Sequence, residues 1–206
     1  KSLGYQFKSF LSLVQSDNDT DTVVYTSRGF QPCVESFSSR YCFVGPSLWS
    51  GHVRDKQHRP LVYISLGTGI NDRPDFYSTC IAALMDEPVD VIISCGQTVD
   101  PASLGPLPEN VQIYDRVDQL EVLSRANAFV THCGMNSVSE SLYMGTPMVL
   151  FPQTNEQEAV ARRVREIGAG IDLKDVTVEG VRAAVRTVLD QEIYAKGAMT
   201  CSDEFR

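Results

Sequence analysis

One stretch of the chain reads His132-Cys-Gly-Met-Asn-Ser-Val-Ser-Glu140 and follows an apolar run at Ala128–Thr131. The strand ends at His132, and Gly134 then turns the chain into a helix. The first N–H groups of that helix, near Asn136 and Ser137, have no partner within the helix and can bind an anion. Glu140 lies one helical turn beyond Asn136 on the same face, roughly 5–6 Å further along the axis. The spacing matches a diphosphate at the helix N-terminus and a ribose diol at Glu140.

Two further signals continue this stretch, Gly145-Thr-Pro147 and Pro152-Gln-Thr-Asn-Glu-Gln157. The combined order is His-x-Gly-x-Asn-Ser-x-x-Glu, four residues, Gly-x-Pro, four residues, Pro-x-x-x-Glu-Gln. It resembles the donor-sugar signature of glycosyltransferase family 1, most closely that of bacterial macrolide-type enzymes and more distantly that of plant and animal UDP-glycosyltransferases. Ten fixed positions within 26 residues make the pattern far more specific than a lone glycine motif.

The resemblance implies a role for each matching residue. In that family the His and the turn after it hold the diphosphate, a second glycine loop approaches from the opposite side, the Glu holds the ribose hydroxyls and the acidic-Gln pair contacts the transferred sugar. These roles fall on His132, Gly134, Asn136, Ser137, Gly67 and Thr68 for the diphosphate, Glu140 for ribose, and Glu156 and Gln157 for the sugar. No catalytic residue is assigned, because the family's general base is a His near the start of the acceptor lobe and nothing here matches it.

A second segment, Asp115-Arg-Val-Asp-Gln119, occupies the place of the family's Trp-x-Pro-Gln. In the family the aromatic ring stacks on uracil, the next backbone unit pairs with the base edge and the Gln approaches ribose. The resemblance therefore implies nucleoside contacts for Arg116, Val117 and Gln119. A guanidinium plane also stacks on a base, but the replacement leaves the choice between UDP and dTDP open.

Purely structural interpretations stand beside these roles. Gly134 and Gly67 each fit a simple turn from strand to helix. The pairs Thr154/Gln157 and Asn155/Glu158 both fit a capping box, which would make Glu156 and Gln157 parts of a helix start. A dinucleotide fingerprint at Gly67-Thr-Gly69 fails, because position 72 is Asp. The spacing of Met135, Val138 and Leu142 predicts a stripe facing the core.

Composition narrows the class of protein. The chain has 206 residues, a net charge of −8 and a pI of about 4.9, which argues against nucleic acid as a partner. We find no apolar run long enough to span a bilayer, no signal peptide and no CxxC among six cysteines, so we expect a cytoplasmic protein. The three histidines are not spaced for a metal site, and the acidic run at 17–21 lacks the glycine and final Glu of a calcium loop. We therefore expect no metal and no cofactor beyond the nucleotide sugar as co-substrate.

From residue 61 onward, strand-like and helix-like stretches alternate, which predicts a doubly wound, Rossmann-like parallel α/β sheet. The resemblance implies the C-terminal lobe of a GT-B type glycosyltransferase. We assign residues 1–50 to the end of an N-terminal acceptor lobe, 51–60 to an interlobe linker and 61–206 to the donor-binding lobe. Predicted strands are 61–66, 89–94, 111–114, 128–131, 147–151 and 170–173, with helices near 73–85, 119–125, after 134, 156–167 and after Thr177; residues 1–14 fit a further helix, and 23–26 and 41–44 two further strands.

The expected function is the donor-binding part of an inverting, metal-independent transferase that moves a hexose, with glucose expected, from a UDP-sugar to an acceptor hydroxyl. The acceptor, a natural product or lipid-like aglycone, would bind the lobe that this sequence lacks, so we expect the chain to bind donor without turnover. Two alternatives stay open: a stand-alone donor-binding subunit that needs a separate acceptor-binding partner, and a sugar-nucleotide-binding protein without transfer activity.

Overall fold

The computed structural model describes residues 20–48 and 59–205. The first range contains a two-stranded parallel sheet of β1 (Thr22–Val24) and β2 (Tyr41–Phe43). The expected strands at 23–26 and 41–44 are thus present with shifted ends. The predicted helix at 1–14, most of the acidic run and nearly all of the predicted linker lie outside the described residues.

The second range forms a six-stranded parallel sheet with helices on both faces, and the predicted doubly wound fold is confirmed. The predicted strands and helices after residue 60 are present, with ends that differ by one or two residues. The strands are β3 (Leu61–Ser65), β4 (Asp90–Ser94), β5 (Val111–Tyr114), β6 (Ala128–Thr131), β7 (Met148–Leu150) and β8 (Gly170–Asp172); the helices are α1 (Pro74–Leu84), α2 (Gln119–Arg125), α3 (Met135–Tyr143), α4 (Asn155–Glu166), α5 (Val178–Asp190) and α6 (Glu192–Phe205).

The strand order β5-β4-β3-β6-β7-β8 reverses direction between β3 and β6. These two strands pair in parallel register, with Ser65 opposite Thr131 at their carboxyl ends. The chain leaves β3 towards one edge of the sheet and leaves β6 towards the other, so the connections diverge and open a crevice above this pair. Ligands of such sheets bind in that crevice.

Alternating side chains of β3 fill two separate cores. Val62 and Ile64 pack beneath α1 and α5 on one face, whereas Leu61 and Tyr63 pack against α2, α3, α4 and α6 on the other. The strands of a parallel sheet are covered on both faces, so their sequences are nearly continuous apolar runs. Residues 61–66 follow this rule and are all buried.

Helix α6 has no counterpart among the predicted elements. Its buried positions include the small residues Ala198 and Cys201, so the apolar pattern of its sequence is weak. Gly197, a poor helix former, weakens the helical pattern further. A Cβ at Gly197 would lie 2.4 Å from the carbonyl oxygen of Gly168, so glycine is required where α6 crosses the end of α4. No helix among residues 20–48 and 59–205 is long and apolar enough to cross a membrane.

The end of α3 explains the Gly-Thr-Pro part of the signature. Gly145 has φ +60°, and its N–H donates to Leu142 O while that of Thr146 donates to Ser141 O, a Schellman end. The fully buried Thr146 hydroxyl then donates to the carbonyl of Leu123, 3.0 Å away, near the end of α2. These residues therefore join two helices to β7 and make no direct contribution to a ligand site.

We expect Thr146→Val to lower the free energy of unfolding, because the isosteric change leaves the buried Leu123 carbonyl without its donor. A buried unpaired acceptor costs about 1–3 kcal/mol, or roughly 2–12 °C in melting temperature for a chain of this size. Thr200→Val is the control, since its exposed hydroxyl donates to Lys196 O within α6 and water can replace it. Equal melting temperatures for the two variants in calorimetry would contradict this account.

Candidate functional site

The predicted site residues of the glycine loop and the signature meet at the crevice above β3 and β6. After β6 the backbone turns at Cys133, which has φ +67°, and Gly134 at φ −62° then serves as the N-cap of α3. The left-handed turn is thus made by the buried Cys133, whose N–H donates to Thr131 Oγ1 at 3.2 Å. The backbone conformation at position 134 does not require glycine. The requirement for a small residue at this position comes from a neighbouring side chain.

That neighbour is the imidazole of His132, which lies between two glycine backbones. A Cβ on Gly134 would stand 2.5 Å from His132 Nε2, and a Cβ on Gly67 would stand 2.5 Å from His132 Cε1. Gly67 also has φ +72°, which other residues rarely adopt. Both glycines thus leave room for the ring, and Gly67 and His132 lie side by side.

The environment of His132 favours a neutral ring. Burial lowers the pKa of His132, while the backbone of Ser65 and the negative charge of Glu156 act in the opposite direction. Nδ1 is buried and makes no hydrogen bond of ordinary geometry. A neutral imidazole retains one N–H donor, so the ring can donate to a ligand oxygen.

The start of α3 is open to a ligand. No side chain caps this nine-residue helix, so the N–H groups of its first turn are left for an anion. Asn136 is exposed beside them and Ser137 is buried. The prediction that Met135 faces the core is wrong: it is 37% exposed, because the first helical position lies at the rim of the sheet, whereas Val138 and Leu142 are fully buried.

One turn further along α3, Glu140 joins a short chain of hydrogen bonds. Gln119 Nε2 donates to Glu140 Oε2 at 2.6 Å and lies 3.3 Å from Ser137 Oγ, and the phenol of Tyr63 donates to Gln119 Oε1 at 3.1 Å. Burial raises the pKa of Glu140, the Gln119 hydrogen bond lowers it and the charge of Asp118 raises it. Burial also raises the pKa of Tyr63 to about 12, so its hydroxyl remains a donor.

The other residues predicted to contact the nucleoside lie in the loop before α2. Asp118, which stands where the family has Pro, accepts from Glu121 N at 3.1 Å and caps α2. Val117 packs against the core on the Tyr63 face, and Arg116 is exposed. The structure brings Gln119 to Glu140 and leaves Arg116 at the surface.

At the start of α4, Thr154 is the N-cap, which confirms one half of the Thr154/Gln157 capping box, whereas the return bond from the Gln157 side chain goes to the residue before the N-cap. Thr154 Oγ1 accepts from Gln157 N at 3.3 Å, and Gln157 Oε1 accepts from Gln153 N at 2.7 Å. The Asn155/Glu158 version is wrong, because Asn155 is already the first helical residue. Glu156 is exposed in the same turn.

Two residues that the sequence did not single out, Gln153 and Asn71, link the loops around the crevice. Gln153 Nε2 donates to Ile70 O at 3.0 Å and links the loop before α4 to the glycine loop. The buried Asn71 donates to Gly67 O at 2.8 Å and accepts from Thr98 Oγ1 at 2.9 Å, which ties the glycine loop to the one after β4. Asn71 follows Gly69 by two positions, and this closeness to the glycine loop is the local signal that could have indicated it.

The groups around the crevice are mainly donors: helix N–H groups, the His132 ring and the Asn136 amide, with the Glu140 carboxylate further along α3. Such an arrangement suits an anion joined to a group rich in hydroxyls. Over the described ranges, His, Cys, Asp and Glu side chains form no group of three or more suited to a metal ion.

Known proteins resemble this chain over most of its length. The family described as "UDP-glucoronosyl and UDP-glucosyl transferase" matches residues 47–205. NDP-glycosyltransferase YjiC of Bacillus subtilis is 44% identical over 84% of this chain and 46% of its own length. Demethyllactenocin mycarosyltransferase of Streptomyces fradiae is 35% identical over 96% of this chain and 44% of its length.

Solved structures give the same result for the fold. The calicheamicin glycosyltransferase CalG4 superposes with a TM-score of 0.81 at 31% identity, over 89% of this chain and 47% of that one. The glycosyltransferase VinC, solved in complex with dTDP, gives 0.64 at 25% identity, over 79% of this chain and 41% of that one. The chain spans about half the length of these relatives. It has the fold of one lobe of a GT-B glycosyltransferase and belongs to the UDP-glycosyltransferase family.

Proposed function

We propose that this chain is the donor-binding part of an inverting glycosyltransferase that moves a hexose, with glucose as the expected sugar, from a UDP-sugar to an acceptor hydroxyl. One observation carries the proposal: the uncapped start of α3 lies beside the half-buried His132, and Glu140 stands one turn further on. A nucleoside diphosphate has its phosphates and its ribose diol at a matching separation.

The phosphate half of the site supplies the chemistry of leaving-group departure. Negative charge builds on the phosphate oxygens as the bond to the sugar breaks, and fixed N–H donors stabilise charge that develops there. The first N–H groups of α3, with the His132 imidazole, are such donors. This makes a metal ion unnecessary for that step, and we propose a metal-independent transfer.

The nucleoside half is proposed at Gln119, Glu140 and the loop at 116–117. Glu140 would accept from the ribose hydroxyls, and the exposed Arg116 would lie over the base. VinC was solved with dTDP, and the YjiC relative is named for NDP-sugars in general. UDP is our proposed nucleotide because the family description names it.

The sugar half is proposed at the start of α4. The Gln157 side chain already accepts from Gln153 N, so its oxygen is engaged in the cap, whereas Glu156 is exposed with its charge felt at His132. Glu156 is thus the more available of the two to hold sugar hydroxyls, and Gln157 would contribute its amide N–H donors.

The acceptor and the general base are proposed to belong to a second lobe fused to this one. The sheet of β1 and β2 supports fusion, because a parallel pair is normally part of a larger sheet covered on both faces. Here Val23, Tyr25 and Val44 are about half exposed. A separate acceptor subunit is the alternative, and the reading frame upstream of residue 1 distinguishes the two.

We expect this chain to bind UDP more tightly than UMP in isothermal titration calorimetry, because the second phosphate meets the start of α3. One additional charge-assisted hydrogen bond contributes about 1.5–3 kcal/mol, so the affinities should differ by roughly ten- to hundredfold. The same difference should persist in excess EDTA. Equal affinities would refute the phosphate assignment, and loss of UDP binding in EDTA that magnesium restores would refute metal independence.

Gly134→Ala should weaken UDP binding by about three- to tenfold without unfolding the chain. The residue has φ −62°, so alanine fits the backbone, but its Cβ would displace the His132 ring and the hydrogen bond it gives to phosphate. Gly69→Ala is the matched control in the opposing loop, since a Cβ there meets nothing within 4 Å. If both variants bound UDP like the parent chain, the ring would have no role in phosphate binding.

Glu156→Ala should weaken binding of UDP-glucose by about tenfold and leave binding of UDP unchanged, because only the first ligand carries hydroxyls for this carboxylate. Its exposure predicts an unchanged melting temperature. A fall in melting temperature with no change in the ratio of the two affinities would make the start of α4 purely structural.

A further inference from the structure

A buried tyrosine stands behind the proposed ribose site without facing the crevice. Tyr63 is 1% exposed, and its ring stacks on Phe129 with centroids 4.8 Å apart and planes 13° from parallel. Burial of the ring and its stacking on Phe129 fix where the hydroxyl lies, because a tyrosine has only two side-chain torsions. The hydroxyl donates to Gln119 Oε1.

The chemistry of an amide makes this contact directional. A glutamine has one acceptor oxygen and one donor nitrogen, and rotation of the amide by half a turn exchanges them. An ionised carboxylate only accepts, so Gln119 must present its nitrogen to Glu140. In that orientation Gln119 Oε1 faces the Tyr63 hydroxyl, which donates to it and so holds the amide from the other side. If the amide turned over, its oxygen would face the Glu140 carboxylate.

We infer, on the basis of the function proposed above, that Tyr63 is a positioning residue for ribose recognition: it locks the Gln119 amide so that Gln119 Nε2 holds Glu140 Oε2 and turns the remaining carboxylate oxygen to the ribose diol. Tyr63 does not touch the nucleotide. It acts through Gln119, and its contribution is therefore restricted to ligands that carry ribose hydroxyls.

Tyr63→Phe tests this inference on the chain as it exists, with UDP and 2′,3′-dideoxyuridine diphosphate as ligands in calorimetry. We expect UDP affinity to fall about three- to tenfold, the effect of one lost neutral hydrogen bond, and the affinity of the dideoxy ligand to stay unchanged. A merely structural tyrosine would weaken both ligands alike. Tyr114→Phe is the matched control, because its exposed hydroxyl also donates to a glutamine, Gln112, at 2.9 Å.

Gln119→Glu provides a second, independent variant should Tyr63→Phe fold poorly. It keeps an acceptor for the Tyr63 hydroxyl and removes the amide donor to Glu140, so the same selective loss for UDP is expected. Unchanged UDP affinity in this variant, or equal losses for both ligands in Tyr63→Phe, would overturn the positioning role.

Glu140→Ala separates the inference from the function beneath it. We expect it to weaken UDP roughly ten- to hundredfold, with exposed Glu109, at the opposite end of the sheet, as the control for carboxylate loss. Adding Tyr63→Phe to Glu140→Ala should then cost nothing further for UDP. If Glu140→Ala is silent, the proposed ribose site is wrong; if it weakens UDP while Tyr63→Phe is silent, only the positioning role is wrong.

Discussion

The parallel pairing of β3 with β6 is the constraint on which the site depends. The two strands end side by side at Ser65 and Thr131, yet their chains continue towards opposite edges of the sheet. The His132 imidazole lies between the two connections, and a Cβ on either Gly67 or Gly134 would meet it. Gly67 and Gly134, 67 positions apart in sequence, thus share a single steric requirement.

The signature combines two kinds of residue that a sequence pattern does not separate. Gly145 and Thr146 end α3 and hold α2 to it, and Thr154 caps α4, so these positions build the elements. Asn136 and Glu156 are exposed and make no such contribution to the fold. The signature contains both kinds because the proposed site is formed by the ends of these elements. A displaced helix would also displace the groups proposed to bind the ligand.

The fold was largely predictable because the alternation of buried strands and amphipathic helices is a local property of the sequence. The structure brings Gln119, Glu140 and Ser137 together, and their roles stay predictions. Other features have no local signature. Tyr63 looks like any buried strand residue, and α6 buries mainly small side chains. Glycine is needed at position 134 because the His132 ring lies beside it. Met135 is exposed because of where α3 begins relative to the sheet.

Helix α4 has a second set of contacts at its far end. Arg163 donates through Nε to Phe30 O at 2.9 Å and through Nη2 to Gly29 O at 2.6 Å, and the Phe30 ring is buried among the residues beneath α4 and α6. Six residues separate Gln157 from Arg163, about 9 Å along a helix. Helix α4 therefore connects the segment before the predicted linker to the place proposed for the sugar. A shift of the helix at Arg163 would also move its first turn, where the sugar is proposed to bind.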